Sequence, residues 1–424
     1  IKPMKTMKKS LLFVVLLGVA SLVSAQTMKV QSAYSDMKNG RLLNAKQNID
    51  DACKDEKTSR ESKTWNYAGL IYAQIVQALD ENSTADKKTK KELKKLTESQ
   101  QQICQQGLEN FKKCLALEKE ANSTEFVGNS IEAMKVLCGY SYKFVGDIYN
   151  SGKYEEAIPL FAQLAENANI AKYKEIELEA KFFQADCYRM LQNKDKQMEI
   201  YRELAKLNTP RPEVYLSIYQ ENRASNDTAK AINALKKGVK MTKDNKNASI
   251  AMKSALASAY IWANQKPEAD KLVAEMLEGG ENDANTLTSV AGVCVDMGDM
   301  AKAEELYTKA INIDGKNLNA YRGLGLVFFN TAVDENAAAE KLPPDPEFDA
   351  EYNAHKKACF DAFEKSVPYF TKVLELDTKN FDALKALKTV YSQLMSRSDA
   401  TPESKAEYKT KYQDVSARLQ ELIK

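Results

Sequence analysis

His355 is the one imidazole in the 424-residue chain, so any histidine-based acid–base or nucleophilic mechanism would have to pass through it. No other residues are arranged to work with it. The chain lacks a His-Glu-x-x-His pair, a Gly-x-Ser-x-Gly elbow and a Gly-x4-Gly-Lys phosphate loop. The glycines of "GLGLVF" (323–328) fall at packing positions inside a helix. Seven cysteines (Cys53, Cys104, Cys114, Cys138, Cys187, Cys294 and Cys359) include no C-x-x-C pair, and most replace a small residue on an amphipathic helix. They read as small core hydrophobes, and their odd number leaves at least one thiol free in any oxidising compartment. Carboxylates are abundant but spread over polar helix faces, with no pair singled out. These residues predict no enzyme, cofactor, metal site or small-molecule substrate.

One run does carry a strong charge. "DKKTKKELKKL" (86–96) sets Lys87, Lys88, Lys90, Lys91, Lys94 and Lys95 against two acids. Such a run can meet an acidic partner, lipid head groups or an anionic polysaccharide. It can equally be a solvated helix face, because Leu93 and Leu96 begin a stripe that continues to Ile103 and Phe111. The first 25 residues are different again. Lys5, Lys8 and Lys9 precede a 13-residue apolar run, Leu11–Val23, and small residues end it at Ala25. This is the pattern of a secretory signal peptide, too short to span a bilayer comfortably, with Gln26 where a lipoprotein would need cysteine. The expected mature chain, 26–424, has 57 basic and 59 acidic residues, a net of −2. No global positive field is present to attract nucleic acid. The expectation is a Sec-exported protein of the periplasm, associated with the outer membrane, with no membrane span but room for peripheral contact.

The elements that must position these residues are helices, and they repeat. Leu256, Val290 and Leu324 stand 34 residues apart, as do Ala257, Ala291 and Gly325, and Tyr260, Cys294 and Phe328. Ala269 and Ala303 keep the same step, then Met276 and Ala310. A small residue beside a large one, an aromatic three further on, a turn, then Ala-x3-aromatic-x2-Ala describes a two-helix unit. Small residues let the helices approach, and large ones fill the groove between neighbouring pairs.

This pattern resembles the tetratricopeptide repeat, W-x2-L-G-x2-Y followed by A-x3-F-x2-A. "WNYAGLIY" places Trp65, Ala68, Gly69 and Tyr72 on the four key positions, and "GDIYNSGKYEEAIPLF" supplies Gly146, Tyr149, Gly152, Ala157 and Phe161. Weaker copies centre on Ala45 with Ala52, on Ala185 with Tyr188 and Tyr201, and on Tyr219 with Ala231 and Leu235. Gln197 stands where the Ala185 copy would have alanine, leaving its register open by one. The resemblance implies an all-α fold, a right-handed superhelix of about nine helix pairs that binds a peptide or protein on its concave face. By position, that face would carry Lys143, Asp147, Phe182, Asp186, Arg189, Gln220, Arg223, Trp262, Arg322 and Phe329. The same residues would otherwise form a polar inner wall. Asp147 stands where a carboxylate clamp would need asparagine. The early "DEKTSRESKTWNYAGLIY" and the late stretched repeat resemble exported tetratricopeptide proteins of the Bacteroidota envelope.

Two copies are stretched. Tyr72 to Phe111 spans 39 residues and Phe328 to Phe370 spans 42, against about 13 in the motif. The extra segments, about 76–103 and 332–362, read as helical hairpins projecting from one edge. The first, without proline, predicts one helix from about Ala85 to Leu117. In the second, Pro368 predicts a break or kink near Ser366. A capping helix over about 402–423 begins at Thr401-Pro402 and carries Tyr408, Tyr412, Val415, Leu419 and Leu422 on one face. The function that follows is a non-enzymatic exported scaffold holding a partner protein or peptide. The alternative is a structural envelope component whose hairpins and lysines touch membrane or anionic polysaccharide.

Overall fold

The helix–turn–helix connection explains the architecture. In the stretch 297–299, Gly298 takes φ +79° and ends a helix. The Asp299 N–H then donates to the Cys294 carbonyl at 2.9 Å, while its carboxylate accepts from the Lys302 N–H at 3.0 Å. One residue therefore closes the first helix and caps the second. Asp227 repeats this, reaching back to Asn222 at 2.8 Å and forward to Lys230 at 3.1 Å. Asn193 does likewise with Tyr188 and Lys196. The left-handed residue before each is a glycine or asparagine at 298 and 226 and a glutamine at 192.

The computed structural model describes residues 25–423, so the signal-peptide reading of 1–25 lies outside the described residues except for its last position. The described residues form nineteen α-helices and two short 3-10 turns, with no strand among them. They divide into two units, one ending at Thr209 and the other beginning at Pro210. The first holds α1 (Ala25–Lys38), α2 (Leu42–Lys54), α3 (Ser62–Leu79), α4 (Lys87–Leu93), α5 (Gln100–Glu120), α6 (Val127–Asn150), α7 (Tyr154–Ile170), α8 (Lys174–Met190) and α9 (Lys194–Lys206). Here α1 pairs with α2, α3 with α5, α6 with α7 and α8 with α9. The second holds α10 (Pro212–Ala224), α11 (Thr228–Met241), α12 (Lys246–Trp262), α13 (Lys266–Glu278), α14 (Ala284–Asp296), α15 (Met300–Ile313), α16 (Leu318–Lys341), α17 (Asp349–Leu376), α18 (Phe381–Met395) and α19 (Pro402–Ile423), paired consecutively from α10.

The repeat positions form the core. Ala45, Ala68, Ala157, Ala231, Ala269, Ala303 and Ala310 are fully buried, as are Phe111, Phe161 and Leu235. Glycine matters where a ring lies against the helix. A β-carbon on Gly69 would come within 2.5 Å of the Phe111 ring, and one on Gly325 within 3.0 Å of Phe370. Six of the seven cysteines are buried and none is paired, as small core residues should be. In the Ala185 copy Met198, rather than Gln197, is the buried residue, which shifts that register by one. At the chain's end the Ser404 N–H donates to the Thr401 hydroxyl, capping α19. Val415 and Leu419 of that helix are buried against α18, while Leu422 is exposed.

Three expectations about the insertions need correction. The first insertion does not project as a hairpin, and Ala85–Leu117 is not one helix. α4 stops at Leu93 and α5 starts at Gln100, because Ser99 and Gln102 form a reciprocal capping box that begins a new helix. The segment folds back onto the first helix pairs. Leu93 is buried, the Gln100 side chain donates to the Val76 carbonyl at 2.6 Å, and Lys46 pairs with both Asp50 and Glu98 at 2.9 Å. Burial opposes the charge on Lys46, but those carboxylates prevail and raise its pKa. The second insertion is a long hairpin, with α16 and α17 packed along each other as far as the turn 342–348. Pro368 does not break α17, which runs 28 residues through it. Proline removes a single backbone bond there, and Phe363, Ser366, Phe370 and Val373 are buried on either side of it.

Candidate functional site

In the first unit the proposed inner-wall residues divide by environment. Lys143 and Asp147 of α6 are exposed. Asp186 of α8 is only 8% exposed. The Tyr149 hydroxyl donates to it at 2.5 Å, and Arg189 donates from Nε at 2.6 Å and Nη2 at 3.2 Å. Burial works against the Asp186 charge, yet these hydrogen bonds from Arg189 and Tyr149 hold its carboxyl below the usual range. Burial, with Asp186 beside it, pushes the Tyr149 hydroxyl up. Asp186 and Arg189 thus join α8 to α6 instead of presenting a free charge. Phe182 is half-buried and stacks on Tyr201 at 6.2 Å, so it ties α8 to α9 rather than standing exposed.

On the opposite side, α7, α8 and α9 enclose an open groove of about 710 Å³. Ion pairs line it. Lys181 meets Glu203 at 2.8 Å and Lys196 meets Glu199 at 2.9 Å. It offers no convergent set of unpaired groups.

In the second unit the first helix of each pair (α10, α12, α14, α16 and α18) touches the next and forms a wall. The Arg223 guanidinium of α10 lies 5.7 Å from the Trp262 ring of α12. Ser258 of α12 donates to Asp296 of α14. Arg322 of α16 meets Asp382 of α18 at 3.5 Å. Gln220 is exposed on α10. Phe329 of α16 is not an exposed aromatic, because its ring packs edge-on against Phe363 and Phe370. Beside it stand two residues that sequence reasoning missed, Leu326 at 41% and Val333 at 46% exposure. Positions 322, 326, 329 and 333 follow the i, i+4, i+7, i+11 spacing of one helix face, so the stripe was available in the sequence.

The family model for the tetratricopeptide repeat matches residues 284–317, which take in α14, α15 and the residue that caps α16. The chain carries a tetratricopeptide repeat. No curated protein matches it. Among solved structures, a MamA protein is 14% identical over 49% of this chain and 92% of that one, with a TM-score of 0.28. The human IFIT1 dimer with m7Gppp-AAAA is 15% identical over 84% of this chain and 74% of that one, with a TM-score of 0.41. The C-terminal part of a TPR repeat-containing protein from Cytophaga hutchinsonii is 13% identical over 66% and 93%, with a TM-score of 0.33. All three scores are low, and the assignment rests on the repeat itself.

The lone histidine is engaged within the fold. His355 Nδ1 lies 2.7 Å from Glu335 and Lys356 donates to Asn336 at 2.7 Å, both linking the arms of the α16–α17 hairpin. Among the described residues no three His, Cys, Asp or Glu side chains gather as a metal site. No described helix is long and apolar enough to cross a membrane. Tandem tetratricopeptide repeats form a protein-interaction scaffold, and the wall of the second unit joins exposed apolar side chains to arginines. The lysines of 87–95 lie on and just after α4, in the first unit.

Proposed function

We propose that this protein is a non-enzymatic scaffold that holds an extended or helical segment of a partner protein along the α10–α18 wall of its second unit. The observation that carries the reading is the α16 stripe. Leu326 and Val333 expose apolar surface that the fold does not use, on the helix of Arg322 and in the wall that also carries the Arg223–Trp262 pair. Arginine and aromatic side chains around a small apolar centre are the composition of binding hot spots. Replacing both apolar residues (Leu326→Glu with Val333→Glu) should leave the helical content unchanged. Partner affinity should fall by about tenfold or more, the equivalent of about 1.4 kcal/mol. Unchanged affinity for the same partner would remove the wall from the interface.

The compartment reading belongs with this function. The basic start, apolar run and small residues of 1–25 support Sec export to the periplasm of a Gram-negative envelope, in association with the outer membrane. The native protein should begin at Gln26. Recovering it with residues 4–25 attached would refute the export reading without touching the wall.

A further inference from the structure

The first insertion carries a run of lysines (87–95) and the second an acidic hairpin end (334–351), and few of these side chains form an ion pair within their own insertion. On the first, Thr89 and Leu93 turn inward and hold α4 against the preceding helices. Lys87, Lys88 and Lys91 then face outward, with Lys94 and Lys95 continuing the exposed surface. None of these five has a carboxylate partner, although acids lie close in sequence. Asp86 accepts from the Thr89 N–H at 2.9 Å as the α4 cap, and Glu98 is taken by Lys46. Folding back has therefore engaged two nearby acids and left Glu92 as the one acid among the six lysines of the run.

The second insertion shows the converse. From 334 to 351 the hairpin end has seven acids and a single base, Lys341. Glu340, Glu347, Asp349 and Glu351 are exposed around the turn, with no lysine or arginine in ion-pair range. The chain is close to neutral as a whole, so these are segregated patches, not parts of one net field.

We propose that the lysine face of one molecule docks on the acidic hairpin end of a second copy of the chain. The charge complement that the lysine face lacks locally is present elsewhere in the same sequence, in similar number, at the end of a projecting element. Lysine ammonium groups are hydrated point charges without the planar fork of arginine, and the exposed α4 face has no large apolar side chain. The contact is therefore electrostatic, quickly reversible and governed by salt. Because the two patches differ, the contact is heterologous, head to tail, and can extend to further copies.

Sedimentation velocity of the purified protein over a concentration series tests this. At about 0.01 M salt, where the Debye length is about 30 Å, the mass should rise with concentration; at about 1 M, where it is about 3 Å, it should return to monomer. A variant with Lys87→Glu, Lys88→Glu and Lys91→Glu should stay monomeric at low salt, as should one with Glu340→Lys, Glu347→Lys and Glu351→Lys. Mixed in equal amounts, the two should re-form a complex, because the reversed face of each fits the other. A wild-type protein monomeric at every low-salt concentration overturns the proposal, as does self-association surviving in either variant or a mixture that stays monomeric. Binding to anionic vesicles without self-association overturns it in favour of a lipid surface.

Discussion

The Gly69–Phe111 contact allows a quantitative test of how the repeat packs. Phe111 of α5 is fully buried, and a β-carbon on Gly69 of α3 would lie 2.5 Å from its Cε1 and 2.6 Å from its Cδ1 and Cζ. The ring is enclosed and cannot swing clear as a flexible chain end would. Gly69→Ala should therefore incur an overpacking cost of about 1–3 kcal/mol. Against it stands a helix-propensity gain of about 1 kcal/mol in the interior of α3. The net expectation is a loss of about 0–2 kcal/mol, by itself a soft result. The informative comparison is with Phe111→Leu, which removes the ring atoms in question. In that background Gly69→Ala should change sign and stabilise by about 0.5–1 kcal/mol. The double-mutant cycle should give a coupling of about 1–3 kcal/mol. The chain has two tryptophans, Trp65 on α3 and Trp262 in the second unit. With Trp262→Phe, urea unfolding followed by fluorescence reads the first unit alone, which matters because stacked repeats need not unfold in one step. A coupling below about 0.5 kcal/mol would be the additivity of independent sites and would refute the contact.

Ala303 is fully buried where α15 packs in the second unit, so Ala303→Leu should destabilise by about 1–3 kcal/mol, while a change below about 0.5 kcal/mol would be surface behaviour. Ser99→Ala removes the cap that separates α4 from α5 and should cost about 1 kcal/mol, seen as faster hydrogen exchange in the first turn of α5; exchange that does not change would deny the cap its role. Asp283 accepts from Lys246 and from the Thr286 N–H, which lower its pKa from 3.8 to about 2. Its depressed folded value means this contribution is complete above about pH 4 and lost as pH falls toward 2. Carboxyl NMR should show the depressed titration, and Lys246→Met should move it up; a titration at the ordinary value in the native protein would contradict the geometry. Burial pushes the Cys104 and Cys138 thiols up to about 12, so both should resist a thiolate-selective reagent at pH 8 until the protein unfolds, and rapid native labelling would show an opening of the α5–α6 contact.

Much of this was legible because one short pattern serves as both local and tertiary signal. The alanines and aromatics at 34-residue spacing fix where helices touch, and the Gly298–Asp299 type of turn fixes where one ends and the next begins. Legibility failed where two local signals competed. At 85–117 the absence of proline suggested one continuous helix, whereas the Ser99–Gln102 box was the stronger instruction. At Pro368 the rule for an isolated helix gave way to aromatic packing on both sides. The wall was read by family position, so Asp186 and Phe182 were placed on it without regard to Tyr149 and Tyr201. Helical spacing alone would have pointed to Leu326 and Val333.

Site-specific photo-crosslinking in the native cell tests the central claim most directly. A photoreactive residue at 326 or 333 should capture one short segment of a single partner protein. The same group at Thr308, exposed on the outer helix α15, should capture none of it. Partner adducts at 308 with none at 326 or 333 would contradict the account.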